Sequence, residues 1–219
     1  MVLVRCSVAQ PNSYCDSRPL HSVSQHGRGA RRIRPSSSEG LGGFPLYASE
    51  SCGLGGRLVV VLPALADDGS SGFENIMDQA NAVLWEMVAD DVVTSEERTR
   101  MVIGSYLRRK RDLLAPFSRD GDFQHLRVED IKVFELPDIA WADFERDGNK
   151  EVLATKHALF FRSVFMPTLA SALDRVRAGD AEALQIFGDG LEAGLRRRLV
   201  NQPRAMHSLA QTIVLAKGV

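Results

Sequence analysis

The spacing of apolar residues changes near residue 55. Before it, they follow neither a helical nor an alternating period. After it, Leu58-Val59-Val60-Val61-Leu62 forms an unbroken, β-branched-rich run between Gly56 and Pro63. A run of that length suits a strand covered on both faces of a parallel or mixed sheet. Asp67 to Gly72 (Asp-Asp-Gly-Ser-Ser-Gly) has turn chemistry. Phe73, Ile76, Met77, Ala80, Val83, Leu84, Met87 and Val88 then recur at helical spacing and predict a long amphipathic helix. Thr94-Ser95-Glu96-Glu97 has the hydroxyl and the following acids of a helix start, predicting a second helix to about Ile103, where Gly104 stops it. Arg108 to Leu114 reads as a short basic helix closed by Pro116.

Leu126 to Leu136 predicts a strand, with Ile131, Val133 and Glu135 on one side. Trp141 and Phe144, three apart, mark a short helical or turn segment. Glu151 to Ala178 carries a helical stripe with Pro167 inside it, so a kink or break is expected there. Asp180 to Val200 predicts another helix that buries Leu184, Phe187, Leu191 and Leu195, and Ala210 to Leu215 predicts a closing strand. The order is strand, three helices, strand, two or three helices, strand. It describes an α/β fold: part of a sheet with a helical insertion, its upstream strands missing.

Composition separates the first 54 residues further. Six arginines stand against Asp16, Glu39 and Glu50, and the first lysine is Lys110. Ser, Gly and Pro dominate the segment, which cannot bury enough apolar surface to offset its ordering entropy. Residues 1–54 are therefore expected to be low-complexity and disordered, and residues 55–219 to carry the fold. Gly40-Leu41-Gly42-Gly43 and Gly53-Leu54-Gly55-Gly56 follow no apolar strand, so neither is a dinucleotide-binding loop.

For the whole chain, 44% apolar and 25% charged residues are ordinary for a globular protein. A net charge of −1 offers no basic face for nucleic acid or for an anionic membrane. No apolar stretch reaches the roughly 20 residues of a membrane span, and the N-terminus lacks a signal-peptide core, so a cytoplasmic location is expected. Cys6, Cys15 and Cys52 match no zinc spacing, and the five histidines are scattered, so no metal site is expected. Arg108-Arg109-Lys110-Arg111 reads as a solvated face.

Several segments, taken in order, are similar to one family. They are Gly55-Gly56-Arg57-Leu58-Val59-Val60-Val61, the stretch Leu84-Trp85-Glu86-Met87-Val88-Ala89-Asp90-Asp91-Val92-Val93-Thr94-Ser95-Glu96-Glu97, Ser105-Tyr106, Phe161-Arg162-Ser163-Val164 with Pro167, and Val214-Leu215-Ala216-Lys217. Together they resemble the S-adenosylmethionine-dependent carboxyl methyltransferases of the salicylate, benzoate and jasmonate type and their bacterial relatives. The resemblance covers residues 55–219, and it lies in order and spacing rather than in any single motif. It implies a partial Rossmann-like class I methyltransferase sheet with a mostly helical substrate cap over a small carboxylic acid. Carried over position by position, it implies substrate contacts at Ile76, Met77, Tyr106, Phe161, Val164 and His207, S-adenosylmethionine as methyl donor, and a homodimer as in many relatives. Met77 stands where the family has tryptophan, which loosens the implied pocket. The carboxylate is itself the nucleophile, so the implied chemistry is positioning and needs no base.

The departures are as specific. The family's acidic-Gly-x-x-x-Gly donor loop, its strand-ending aspartate and its Asp-x-Phe-Asn element are absent from the sequence, and its carboxylate-gripping Leu-His-Trp-Leu-Ser has only an echo in Leu20-His21-Ser22-Val23-Ser24. One codon choice for Ser49–Leu54, read in a shifted register, gives Arg-Glu-Leu-Arg-Pro, the lead-in expected before Gly-Gly-Arg. Residues 1–54 are therefore expected to be translated largely out of frame. The functional expectation is carboxyl methyl transfer by descent, crippled in this polypeptide; the alternative is a non-catalytic helical binding or regulatory module retaining only the cap. Re-reading the gene across codons 1–54 should reveal a second frame encoding Arg-Glu-Leu-Arg-Pro and, upstream, the donor loop. A gene without that frame ends the frameshift reading.

Overall fold

The computed structural model describes residues 3–7, 54–104, 107–118, 121–123 and 125–218. In chain order the elements are β1 (Leu3–Ser7), β2 (Arg57–Pro63), α1 (Glu74–Ala89), α2 (Ser95–Arg100), α3 (Lys110–Leu114), a 3-10 turn (Ala115–Phe117), β3 (Asp122–Phe123), β4 (Leu126–Glu135), α4 (Ile139–Asp147), α5 (Lys150–Ala170), α6 (Asp174–Arg177), α7 (Ala181–Asn201) and β5 (Leu209–Lys217). They fall into two units interleaved in sequence. One comprises Met1–Leu62, Lys110–Lys132 and Gln211–Val219; the other comprises Pro63–Arg109 and Val133–Ala210. The fold is α/β, as the periodicities predict, with a sheet in the first unit and most of the helices in the second.

In the sheet the strand order is β1-β2-β5-β4-β3. β1 runs antiparallel to β2, with Leu3 opposite Val61 and Ser7 opposite Arg57, and β3 runs antiparallel to β4. The Lys217 amide bonds the Gly56 carbonyl and the Ala64 amide bonds that of Leu209, so β5 also runs against β2. The Gly218 amide on the His125 carbonyl and the Leu136 amide on that of Ser208 give β4 and β5 the same relation. Two details differ from the sequence reading. A strand stands at Leu3–Ser7, where composition predicts no element. β2 is flanked by antiparallel strands and is buried on one face only: Leu58 and Val60 are inside, Val59 and Val61 half-buried.

That inner face packs Leu58, Val60, Ile213 and Leu215 with Leu126 and with Leu113 of α3. Val128 and Ile131 both join this cluster, although strict alternation would put them on opposite faces. The period slips by one residue between them, the behaviour of a bulge. Arg57 and Glu129 meet on the sheet at 2.6 Å. Both side chains are well exposed, so the pair contributes little stability.

In the helical unit α1 buries Ile76, Ala80, Val83, Leu84 and Met87, the stripe read from the sequence. α2 has a complete capping box: the Glu97 amide donates to Thr94 Oγ1 at 3.2 Å, and the Thr94 amide to Glu97 Oε2 at 2.9 Å. It ends at Arg100 instead of near Ile103, because Met101 and Ile103 turn onto the core in extended backbone. Pro167 lies inside α5 and does not end it. The helix continues to Ala170, and the break expected at Pro167 falls at 171–173, before the short α6. In α7 the buried face is Ala183, Phe187, Gly188, Leu191, Gly194, Leu195 and Leu199; Leu184, expected inside, is 37% exposed.

Two glycines govern close approaches in this unit. A Cβ on Gly194 would stand 2.5 Å from a Val83 methyl, so α7 meets α1 there only because the side chain is absent. Gly72 combines φ +81 with a Cβ position 2.0 Å from the His207 carbonyl oxygen. Gly72→Ala should lower the unfolding temperature by roughly 4–8 °C, since left-handed strain and a backbone clash together cost about 2 kcal/mol or more. Gly148→Ala is the control: φ is +67 there, but nothing lies within 4 Å, so it should cost clearly less. Equal losses in differential scanning calorimetry would show that the Gly72–His207 contact carries no weight.

Candidate functional site

The helical unit gathers four phenylalanines from two elements. Phe73 precedes α1; Phe160, Phe161 and Phe165 lie on successive turns of α5. Phe73 stacks on Phe160 with centroids 6.0 Å apart and meets Phe165 edge-on at 6.1 Å. Phe165 also touches Phe161 at 5.0 Å. Phe161 is buried, whereas the other three are half-buried and pack against the same core as Met77, Met101, Ile103, Met166 and Met206. Unbranched thioethers beside ring faces make an adaptable apolar surface, suited to the apolar body of a small molecule.

A polar joint borders this surface. Asp138 caps α4, its Oδ1 accepting from the Trp141 amide at 3.1 Å. Its Oδ2 accepts from the Met206 amide at 2.9 Å and lies 3.0 Å from His157 Nε2 of α5. Next to it, the Leu136 amide donates to the Ser208 carbonyl, and His207 Nδ1 lies 2.7 Å from Glu135 Oε1. Residues 206–208 are thus zipped to 135–138 on one side and pressed against Gly72 on the other. His157 is only 3% exposed. Its burial pushes the imidazole below its ordinary range, against the pull of the Asp138 carboxylate.

The residues to which the resemblance assigns substrate contacts are distributed unevenly. Ile76 and Phe161 share the buried core, each 1% exposed. Met77 packs half-buried against that core, one turn beyond Phe73. Val164 is 50% exposed. His207 is exposed and faces Glu135. Tyr106 lies outside the described residues. The structure therefore brings Phe161 to the aromatic cluster, sets Met77 against the same core and places Val164 on an outer face of α5. Sequence reasoning missed Phe160, Phe165 and the Asp138–His157 joint. The phenylalanines are visible as Phe-Phe-x-x-x-Phe at helical spacing, and Asp138 as a carboxylate just before a helix; nothing local couples Asp138 to a histidine nineteen residues on.

In the loop before α1 the polar groups bind one another. Asp68 Oδ1 there accepts from the Ser70 amide and hydroxyl. Glu74 curls back onto the amides of Ser71 and Gly72, so the helix start carries its own carboxylate. Hydrogen bonds from Ser71 and Gly72 hold Glu74 below the ordinary carboxylate range, although burial, the largest single influence, pushes it up. With these donors and acceptors engaged internally, this loop does not fit S-adenosylmethionine. On α5, Arg162 is shared between Asp189 and Glu192 at 2.7 and 2.6 Å. Among the described residues no group of three His, Cys, Asp or Glu is placed to hold a metal. No helix among them is long and apolar enough to cross a membrane.

No family model matches the sequence, and no curated protein does. Among solved structures, a loganic acid methyltransferase with SAH is similar over 76% of this chain, at 15% identity and a TM-score of 0.48. The chain spans 43% of that protein's length.

If Phe161 closes the core as its burial indicates, Phe161→Ala should destabilise the fold by about 3–5 kcal/mol in urea denaturation. A loss below about 1 kcal/mol would mean that the ring borders an open space instead.

Proposed function

We propose that residues 55–219 form the acid-binding side of an S-adenosylmethionine-dependent methyltransferase whose acceptor is the carboxylate of a small organic acid. The reading is carried by the positions that the resembling segments take in the fold. Gly56-Arg57 leads directly into β2, and Val214 to Lys217 closes β5, its immediate neighbour in the sheet. Glu96 and Glu97 open α2, with Glu97 completing the capping box at Thr94. Phe161 lies in the aromatic cluster of α5. A family signature scattered by chance would have no reason to coincide with adjacent strands and a helix start.

The proposed acid lies along the half-buried face around Phe73, Met77, Phe160 and Phe165, with His207 at its border; Ile76 and Phe161 support that face from beneath, and Tyr106 and Val164 complete the set implied by the resemblance. A carboxylate is already nucleophilic at neutral pH, so the protein's contribution is orientation and exclusion of water. Methyl transfer by this polypeptide is proposed to be lost, because the family's donor loop is not among its residues.

Calorimetric titration with SAH, and incubation with methyl-labelled S-adenosylmethionine and a panel of small carboxylic acids, test the reading. The chain as it stands should bind no SAH. The chain in which residues 1–54 are replaced by the product of the second frame should bind SAH and form base-labile methyl esters. A folded, re-framed chain that does neither overturns the proposal.

A further inference from the structure

The Asp138–His157 joint suggests a second property, independent of the proposed reaction. One carboxylate holds three pieces of the helical unit: it caps α4, anchors the Met206 amide, and meets a buried histidine of α5. The side chains of His157 and Asp138 are 4% and 9% exposed. Asp138 already accepts two amide protons and can only accept, so neutral His157 must donate from Nε2. The next proton goes to Nδ1, where burial opposes the charge more than the Asp138 carboxylate favours it.

The element able to admit water is α4. None of its nine residues is buried. Besides the Asp138 cap, it is tied to α5 by the surface pair of Asp143 and Lys156, at 2.7 Å. By contrast α5 buries Leu153, Ala154, Ala158 and Phe161 around His157 and cannot turn. A helix without buried residues belongs to the low-stability end of local opening.

We propose that Asp138 and His157 form a proton-operated latch: with His157 neutral, α4 and residues 203–208 are held against α5, and protonation lifts α4 to hydrate the imidazolium. Burial sets the sign. A histidine whose pKa is lowered on folding contributes stability above its ordinary value of 6.5, and that contribution is lost as pH falls from 6.5 through the folded value. Lys156 and Arg146 hold Asp143 below its ordinary range, so it stays ionised throughout that window. On the α7 side, Asp189 and Glu192 are paired with Arg162. Arg204 is exposed, Glu145 on α4 accepts from the Trp141 indole at 2.8 Å, and His207 is paired with Glu135, a pairing that a variant removes.

Trp141 sits on α4, and the chain's other tryptophan is Trp85, so the full-length protein carrying Trp85→Phe reports on α4 alone. Acrylamide quenching of Trp141 should rise in a single one-proton step between pH 8 and 5.5. The step should have its midpoint below 6.5, be absent in His157→Gln and persist in His207→Gln. A step that survives in His157→Gln, or a flat profile in the protein retaining His157, overturns the latch. If His157→Gln fails to fold, an NMR titration of the His157 ring in the unsubstituted protein decides instead: coincident ring and Trp141 midpoints support the latch, and separate midpoints refute it.

Discussion

A central constraint in the helical unit is steric: a methyl of Val83 on α1 occupies the space a side chain at position 194 of α7 would need. Glycine inside a helix costs about 1 kcal/mol relative to alanine, so its place in the middle of α7 requires a return. The return is contact. With the two backbones this close, Val83, Leu84 and Met87 reach Leu191, Leu195 and Leu199 and close one core with Phe187 of α7 and Phe161 of α5. Burying each such side chain stabilises by about 1.5–3 kcal/mol, which exceeds the glycine cost several times over. The positions of α5, its phenylalanines and the half-buried methionines follow from that contact.

Against this apolar core, the polar interactions divide by burial. Exposed pairs such as Arg57–Glu129 and Arg177–Asp174 contribute little, because water screens them. The buried acceptors matter because leaving their donors unpaired is costly. Glu97 receives the amides of Thr94 and Asp174, tying the starts of α2 and α6. Asp138 does the same for α4 and residues 203–208. Both are carboxylates at helix starts, where amide protons are available and the helix dipole favours negative charge. Short, weakly buried helices are held in this unit chiefly by such groups.

Much of the fold was legible from local pattern. The α1 stripe, the capping box at Thr94, and the spans of β4, α7 and β5 each depend on periodicity or on side-chain-to-backbone bonding within a few residues. The errors arose where distant packing overrode the local signal. Met101 and Ile103 left the helical register because the core offered them burial. Pro167 did not end α5, which continues to Ala170. The unbroken apolar run of β2 suggested cover on both faces, and its neighbours provide full cover on one. The candidate site was less legible. Phe161 was singled out and lies in the aromatic cluster, and Met77 packs against the same core, but Val164 points outward, since a helical stripe can be rotated by one position without disturbing its period.

By itself the sequence determined the α/β class, the strands β2, β4 and β5 with the helices between them but not β1 or β3, the change in character near residue 55, and the order of segments that resembles a carboxyl methyltransferase. All of these are properties of the chain read locally. Only the tertiary structure decided that every strand neighbour is antiparallel, that Gly72 and Gly194 are contact points, and that Asp138 meets His157. Strand direction depends on where the intervening helices return the chain, and a contact glycine is defined by its neighbour's side chain. A buried acid–histidine pair exists only once two separate helices are packed at hydrogen-bond distance.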